Sequence, residues 1–320
     1  MTISNKNQSM KISILFATYN GEKRLPVMLD AFTELDYPQE QWQVIAVNNN
    51  SSDSTLEVLE SYKDKLPLTV LTETKQGKSH ALNLGLEHVK SDSDLIILTD
   101  DDIIADPRWL QAYVEAAQAH SDFQIFGGEI RPAWEKQPPQ WILDWVNLRM
   151  LYAINQGTEE GEINPDLVFG PNSCFRAALF LEKGNRIPTH IGPKSGGAYP
   201  MGNDSMLAKI LSDQGYKAYQ VPDAIVGHMI PAKNLEEDWI IRRAERFGWG
   251  MVVQHPEWFD EYRLVSLRWL RRRIQYVVFL LLFYPAKYLL PRSERRFKLL
   301  YWTYYLKGVF RGIKNESAAD

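Results

Sequence analysis

The sequence predicts an α/β chain: a mixed, mainly parallel sheet flanked by helices, with a basic helical extension at its C-terminal end. Three observations carry this prediction. Short apolar runs alternate with helical apolar patterns over the first 130 residues, as βαβ units require. Polar and acidic clusters follow those runs, at the strand ends where such sheets bind ligands. The charge is also divided. Residues 1–267 hold 24 Lys and Arg against 37 Asp and Glu, a net of −13, whereas residues 268–314 hold 12 basic residues and a single acid, Glu294.

The elements follow in order. Lys11–Ala17 is an apolar strand, and Glu22–Leu35 puts Leu25, Met28, Leu29 and Phe32 on one helical face. Gln43–Val47 is a second strand, after which Ser51-Ser52-Asp53 offers caps for a helix carrying Leu56, Leu59 and Tyr62. Leu68–Thr72 is a third strand, and Gly77–Val89 a third helix with Ala81, Leu82 and Gly85. Leu95–Leu98 is the fourth strand, and Pro107 opens a helix with Leu110, Tyr113 and Val114. From Arg131 to Trp145 the pattern turns irregular, with Pro132, Pro138, Pro139 and the tryptophans 134, 141 and 145, which read as core packing or membrane-interface anchors at least as readily as stacking faces for acceptor sugars. Glu159–Pro165 reads as a polar loop, and a second α/β stretch runs to about His228. The expected division is one domain over 1–265 and a tail over 266–320.

Composition narrows the function. One cysteine, Cys174, excludes a disulfide framework and a thiolate zinc cage. An acidic bulk argues against a nucleic-acid partner, and a basic tail argues for an anionic membrane surface. Within the tail, Ile274–Leu290 is apolar but has only 17 residues and contains Gln275, Pro285 and Lys287. Spanning a bilayer takes about 20, so the segment predicts a membrane-surface or re-entrant helix first, a buried helix of the domain second and a true span last. The expected location is therefore cytoplasmic, peripheral at the inner face of the cell membrane.

The sharpest chemical signal is Leu95-Ile96-Ile97-Leu98-Thr99-Asp100-Asp101-Asp102, a hydrophobic strand that delivers three carboxylates at its end. Side chains alternate along extended chain, so Asp100 and Asp102 project together and Asp101 points away. Paired hard oxygen donors suit Mg²⁺ or Mn²⁺ bridging to substrate phosphates. Thr18-Tyr19-Asn20-Gly21 and Asn48-Asn49-Asn50-Ser51-Ser52-Asp53 follow the first two strands, on the same rim. Their short amides are equally turn residues and base-reading groups. Neither a G-x-G-x-x-G fingerprint nor a P-loop is present.

These pieces, in this order, resemble the GT-A nucleotide-diphospho-sugar transferase fold and, in detail, family 2 glycosyltransferases. Thr18-Tyr19-Asn20 is similar to that family's first-strand motif, and Val47 to Asp53 to its V-D-[DN]-x-S-x-D turn. Lys75-Gln76-Gly77-Lys78 with Asn83 and Gly85 resembles K-x-G-K…N-x-G, and Asp100-Asp101-Asp102 the D-x-D metal motif. Gly170-Pro171-Asn172 to Arg176 resembles the acceptor-side G-x-N-x-x-x-R segment, Gly202-Asn203-Asp204 to Leu207 the G-E-D-x-x-L helix start, and Pro222 to His228 the P-x-A-x-x-x-H strand. The match covers roughly residues 10–230. Two positions depart from the pattern: Asn48 stands where a uracil-reading Asp is usual, and Asn203 where a Glu precedes the Asp.

The resemblance implies a hexosyltransferase-type enzyme that moves a sugar from a UDP- or GDP-linked donor to a glycan or lipid-linked acceptor, with inversion, in exopolysaccharide or cell-surface glycan assembly. It implies Mn²⁺ or Mg²⁺ on Asp102 and His228, and Asp204, at the start of a helix over Ser205–Leu211, as the base. Thr18, Tyr19, Asn20, Glu22, Asn48, Asn49, Ser51, Asp53, Lys78, Asn83, Asp100 and Asp101 fall to the nucleotide sugar, and Asn172 and Asn203 to the acceptor side. The Q-x-x-R-W signature of processive synthases is missing, which implies addition of one sugar at a time. Two rival readings are a sugar-1-phosphate nucleotidyltransferase, which would carry a Gly-rich basic loop after strand one, and a non-catalytic binding relative, which would lose the carboxylates or the base.

Overall fold

The computed structural model describes residues 9–194, 199–258 and 293–316. Its first half is a run of apolar strands laid in parallel. β1 (Ile12–Thr18) lies between β2 (Trp42–Asn48) and β4 (Leu95–Thr99), and β3 (Leu68–Thr72) extends the sheet beyond β2. The registers Thr18↔Asn48, Asn48↔Thr72 and Phe16↔Thr99 bring the C-terminal ends of all four strands to one rim. β1, β2 and β4 are buried on both faces, as parallel strands generally are, whereas β3 at the edge is half-exposed. Ile12, Ile14 and Phe16 face a core shared with α1 (Leu25–Thr33) and α4 (Trp109–Ala119). Leu15 faces the opposite core, with α3 (Lys78–Leu86) and α7 (Ala178–Leu181). The short α2 (Thr55–Glu60) places Leu59 in the first of these cores.

The second half completes the sheet in antiparallel fashion. β8 (Ser173–Arg176) pairs with β4 through Leu98↔Ser173, and β6 (Ile125–Trp134) pairs with β8. β9 (Ala218–Ile230) follows, paired to β5 (Ile103–Ala105) by Ile103↔His228 and to β7 (Gly161–Ile163) by Glu162↔Tyr219. Among the described residues the sheet has nine strands in the order β3-β2-β1-β4-β8-β6-β9-β5, with β7 on β9.

Several expectations are corrected. Arg131 to Trp134 continues β6, and Gln140–Trp145 is helix α5, because Pro139 stands just ahead of the helix where its missing N–H is harmless. Glu159–Pro165 is not a plain loop, since its middle forms β7. The fourth helix begins two residues after Pro107, at Trp109. The helix expected from Ser205 begins earlier, as α8 (Asn203–Asp213), so Asp204 stands in its first turn and not at its cap.

The chain gathers into two compact units. The sheet unit comprises residues 1–133, 153–187 and 207–229, and the helical unit residues 134–152, 188–206 and 230–320. The helical unit contains α5, α6 (Leu148–Tyr152), α9 (Glu237–Gln254) and α10 (Glu294–Glu316). Trp141 and Trp145, both half-buried, pack on each other and on Phe297 of α10. α10 lies along α9 at glycines: a Cβ at Gly248 would strike the Tyr305 carbonyl, and one at Gly308 the Glu245 carbonyl. The expected boundary at residue 265 and the apolar run Ile274–Leu290 lie outside the described residues. Among the described residues no helix is long and apolar enough to cross a membrane.

Candidate functional site

The rim of the sheet unit is assembled by hydrogen bonds between consecutive strand-end loops. Asn20, at φ 51°, accepts from the Ser52 backbone at 2.9 Å, while its own N–H donates to Ser51 Oγ at 3.0 Å. Glu22 N–H donates to Asp53 at 3.3 Å, and Glu22 accepts from the Ser54 N–H at 3.1 Å. Asn48 turns its own loop by accepting from the Ser51 N–H at 3.1 Å, an Asx turn. Asn49, 3% exposed, donates to the carbonyls of Glu73 and Lys75 and accepts from the Gly77 N–H at 2.7 Å, which ties the second loop to the start of α3. Asn20, Glu22, Asn48, Asn49, Ser51 and Asp53 are thus brought together as expected, largely bonded to one another. Tyr19 is different, with its side chain 47% exposed at this rim.

The three carboxylates diverge. Asp101 turns inward, where Thr18 Oγ1 at 2.5 Å and Arg24 Nη2 at 2.8 Å both donate to its Oδ2. Arg24 also donates to the Tyr19 carbonyl at 2.9 Å, so it joins the first loop to the acidic triplet. Asp100 pairs with Lys78 at 2.5 Å. Asp102 faces His228: its Oδ1 lies 3.5 Å from the imidazole Nε2 and, although buried, accepts no hydrogen bond among the described residues. The two meet because β5 and β9 are neighbours, with Met229 N–H donating to the Asp102 carbonyl at 2.8 Å. Burial pushes the Asp102 carboxyl up, but His228, then Arg24 and Lys78, outweigh it and hold the group below its ordinary value.

The buried carboxylate oxygen is a hard donor of the kind that Mn²⁺ or Mg²⁺ accepts, and the imidazole nitrogen facing it suits a transition-metal ion such as Mn²⁺ better than Mg²⁺. Among the described residues no three acidic, His or Cys side chains form a fuller cage, so substrate oxygens and water would have to complete the shell. Cys174 offers no thiolate, because burial pushes its thiol well up.

Three expected site residues sit elsewhere in the architecture. Asn172 is fully buried; its amide donates to the carbonyls of Glu129 and Ala224, and its Oδ1 accepts from Trp109 Nε1 at 2.8 Å and Tyr113 OH at 2.6 Å. With that capacity filled, it braces the turn beside Thr99 in place of meeting an acceptor. Asn83 bonds both backbone groups of Ile187, at 2.8 and 2.9 Å. Asn203, 4% exposed, donates to Asp204 Oδ1 at 3.1 Å, and both belong to the helical unit. Arg24 was not singled out from the sequence. Its partner Asp101 is 77 residues away, and a lone Arg at a helix start carries no local signal.

The model for glycosyl transferase family 2 matches residues 13–179. Poly(ribitol-phosphate) beta-N-acetylglucosaminyltransferase TarS of Staphylococcus aureus is 32% identical over 219 residues, 65% of this chain and 35% of that protein. This chain therefore spans about a third of that relative's length. Mannosyltransferase PcManGT from Pyrobaculum calidifontis, solved in complex with GDP-Man and Mn²⁺, superposes with a TM-score of 0.61 at 19% identity, over 96% of this chain and 88% of that one. TarS residues 1-349 in complex with UDP-GlcNAc superposes with a TM-score of 0.52 at 17% identity, over 81% of this chain and 77% of that one. Both likenesses show the GT-A fold. The family model covers more than half of the chain, and on that match the chain belongs to glycosyl transferase family 2.

Proposed function

We propose that this chain transfers one sugar at a time from a UDP- or GDP-linked donor to an acceptor hydroxyl, with inversion at the anomeric carbon. The observation that carries the reading is the Asp102–His228 pair at the rim of the sheet, with a buried oxygen that accepts no hydrogen bond among the described residues. Mn²⁺ or Mg²⁺ would be held there by Asp102 and His228. When bound, such an ion offsets the charge that develops on the leaving nucleoside diphosphate. Around it, Arg24 and Lys78 stand against Asp100, Asp101 and Asp102, which leaves the cluster one negative charge in excess. That excess favours a divalent cation, and the cation in turn makes the rim attractive to a diphosphate. Lys78 is the cation assigned to the diphosphate, and the exposed ring of Tyr19 is the stacking face assigned to the base. Asp204 is assigned as the general base that takes the acceptor proton, a task that an ordinary Asp near pKa 4 performs best when partly withdrawn from water.

Two nucleotides are kept in the proposal because the neighbours above were solved with GDP-Man and with UDP-GlcNAc. A glycan or lipid-linked acceptor fits the poly(ribitol-phosphate) relative and the basic stretch 268–314, which would hold the enzyme at an anionic membrane surface, on the cytoplasmic side. The test is donor hydrolysis. Incubated with a panel of UDP- and GDP-sugars and Mn²⁺, the full chain should release UDP or GDP from one of them, and EDTA should stop the release. Release from none, with no nucleotide bound in calorimetry, would end the reading. Undiminished release in EDTA would end its metal component.

A further inference from the structure

Helix α9 grips the segment that leads into Asp204. Arg246, Gly250 and Gln254 recur every four residues and so share one face of the helix. That face holds Tyr199 to Gly202. Met201 N–H donates to the Arg246 carbonyl at 3.1 Å, and Arg246 Nη1 donates to Tyr199 OH at 3.1 Å. Gln254, 5% exposed, donates through Nε2 to the Met201 carbonyl at 3.1 Å and to the Gly250 carbonyl at 3.2 Å. The approach is as close as backbone allows. A Cβ at Gly250 would strike the Met201 carbonyl, and one at Gly202 would strike the Gln254 amide. Gly202 also has φ 111°, a conformation L side chains rarely adopt. Its carbonyl accepts the Met206 N–H at 2.9 Å, within the first turn of α8. From the other side, Gly192 leaves no room for a Cβ beside Asn203, which hydrogen-bonds Asp204.

We propose that Gln254, acting with Gly250 and Gly202, is the positioning residue that aims the Asp204 carboxylate; the proposal rests on the reading of Asp204 as the base. A general base works only within about 2.6–3.2 Å of its proton, and a displacement of about 1 Å costs on the order of 10²-fold in rate. Gln254 makes its hydrogen bonds within the helical unit, whereas the residues assigned to donor and metal belong to the sheet unit. Its loss therefore lowers transfer and leaves donor binding alone, a split that general destabilisation does not produce.

The experiment is a double-mutant cycle on the full chain, with transfer measured beside the affinity for UDP or GDP in Mn²⁺. Gln254→Ala is expected to lower kcat by about 10–10²-fold with nucleotide affinity held within twofold. Gly202→Ala should be at least as damaging, and adding Gln254→Ala to it should recover part of the loss, because the amide its Cβ would strike is gone. In an Asp204→Asn background, Gln254→Ala should cost nothing further. The proposal is overturned if Gln254→Ala keeps full kcat, if it multiplies the Asp204→Asn defect, or if nucleotide affinity falls in step with rate. Should Gln254→Ala fail to fold, Gly202→Ala carries the same three criteria. Wild-type transfer by Asp204→Asn would remove the base reading itself, which sets that failure apart from a failure of positioning.

Discussion

The rim of the sheet unit and the helix start that carries Asp204 are built in opposite ways. At the rim, each side chain of interest leaves the end of a strand, and the ladder registers set its place: Asp102 follows β4, and His228 pairs with Ile103 across β5 and β9. In the helical unit, Asp204 is placed by a segment lying on helix backbone, through a positive-φ glycine and one buried amide. The difference teaches how each fails. A substitution at the rim removes a ligand and leaves its neighbours standing. A substitution behind Asp204 leaves the carboxylate present and turns it.

The largest expected effect tests the rim. Asp102→Ala should abolish both transfer and Mn²⁺ binding, while the thermal midpoint falls slightly, since the net attraction of His228, Arg24 and Lys78 for that carboxylate is lost. Manganese binding followed by calorimetry or paramagnetic resonance reads this directly, and intact binding would break the contrast. The second effect concerns stability. Asn172→Ala removes the buried partner of Trp109 Nε1, Tyr113 OH and two carbonyls. Tyr113 OH keeps the Asn172 backbone carbonyl at 3.1 Å, and the three other buried groups cost about 1–3 kcal/mol each when unpaired, so denaturant unfolding should show a loss of at least about 3 kcal/mol. A stable variant that fails only in acceptor use would return Asn172 to the acceptor side.

How much of this was legible in the sequence follows from the same contrast. Parallel strands buried on both faces leave unbroken apolar runs, so β1, β2 and β4 and the acids after β4 can be read directly. The amides cannot be sorted that way. Asn49, Asn83 and Asn172 carry the motif positions of ligand-binding residues, yet each is occupied by backbone or core partners, and an amide's partner is not written beside it. β7 was hidden because three residues opened by Gly161 look like loop until β9 pairs with them. The grip of α9 on residues 199–202 was hidden for another reason: its contacts join residues 45–53 positions apart, as from Met201 to Arg246 and from Met201 to Gln254.

Arg24→Gln gives a smaller effect and a sharper sign. It strips Asp101 of its ion pair and leaves the acidic cluster with one more uncompensated charge. The Arg24 side chain is 37% exposed, so screening should limit the stability loss to about 1–2 kcal/mol. Without nucleotide, Mn²⁺ should bind a few-fold tighter; with Mn²⁺ saturating, UDP or GDP should bind a few-fold weaker. Weaker nucleotide binding with unchanged Mn²⁺ affinity would mean that Arg24 meets the phosphates itself.

The smallest effect separates the charges of α10 that are used internally from those that remain for a partner. Arg296 is paired with Glu237 at 2.9 Å, with both side chains nearly buried, and Lys307 and Arg311 converge on Glu245 at 2.9 and 3.6 Å. Arg311 also lies over the Trp249 ring, 4.6 Å from its centroid. These three cations bind α10 to α9, and their substitution should act on stability. Arg295 and Lys298 stand instead on the exposed side, beside Leu299, Leu306 and the 55% exposed Trp302, with Lys298 paired along the same helix to the exposed Glu294 at 2.5 Å. Each cation near an anionic surface adds on the order of 1 kcal/mol. Arg295→Gln with Lys298→Gln should therefore weaken sedimentation with anionic vesicles several-fold at low salt and little at high salt, where screening removes the term. Arg311→Gln should lower the melting point and leave vesicle binding unchanged. Equal recovery of the wild type with anionic and neutral vesicles at low salt would end the membrane reading and leave α10 as a structural helix alone.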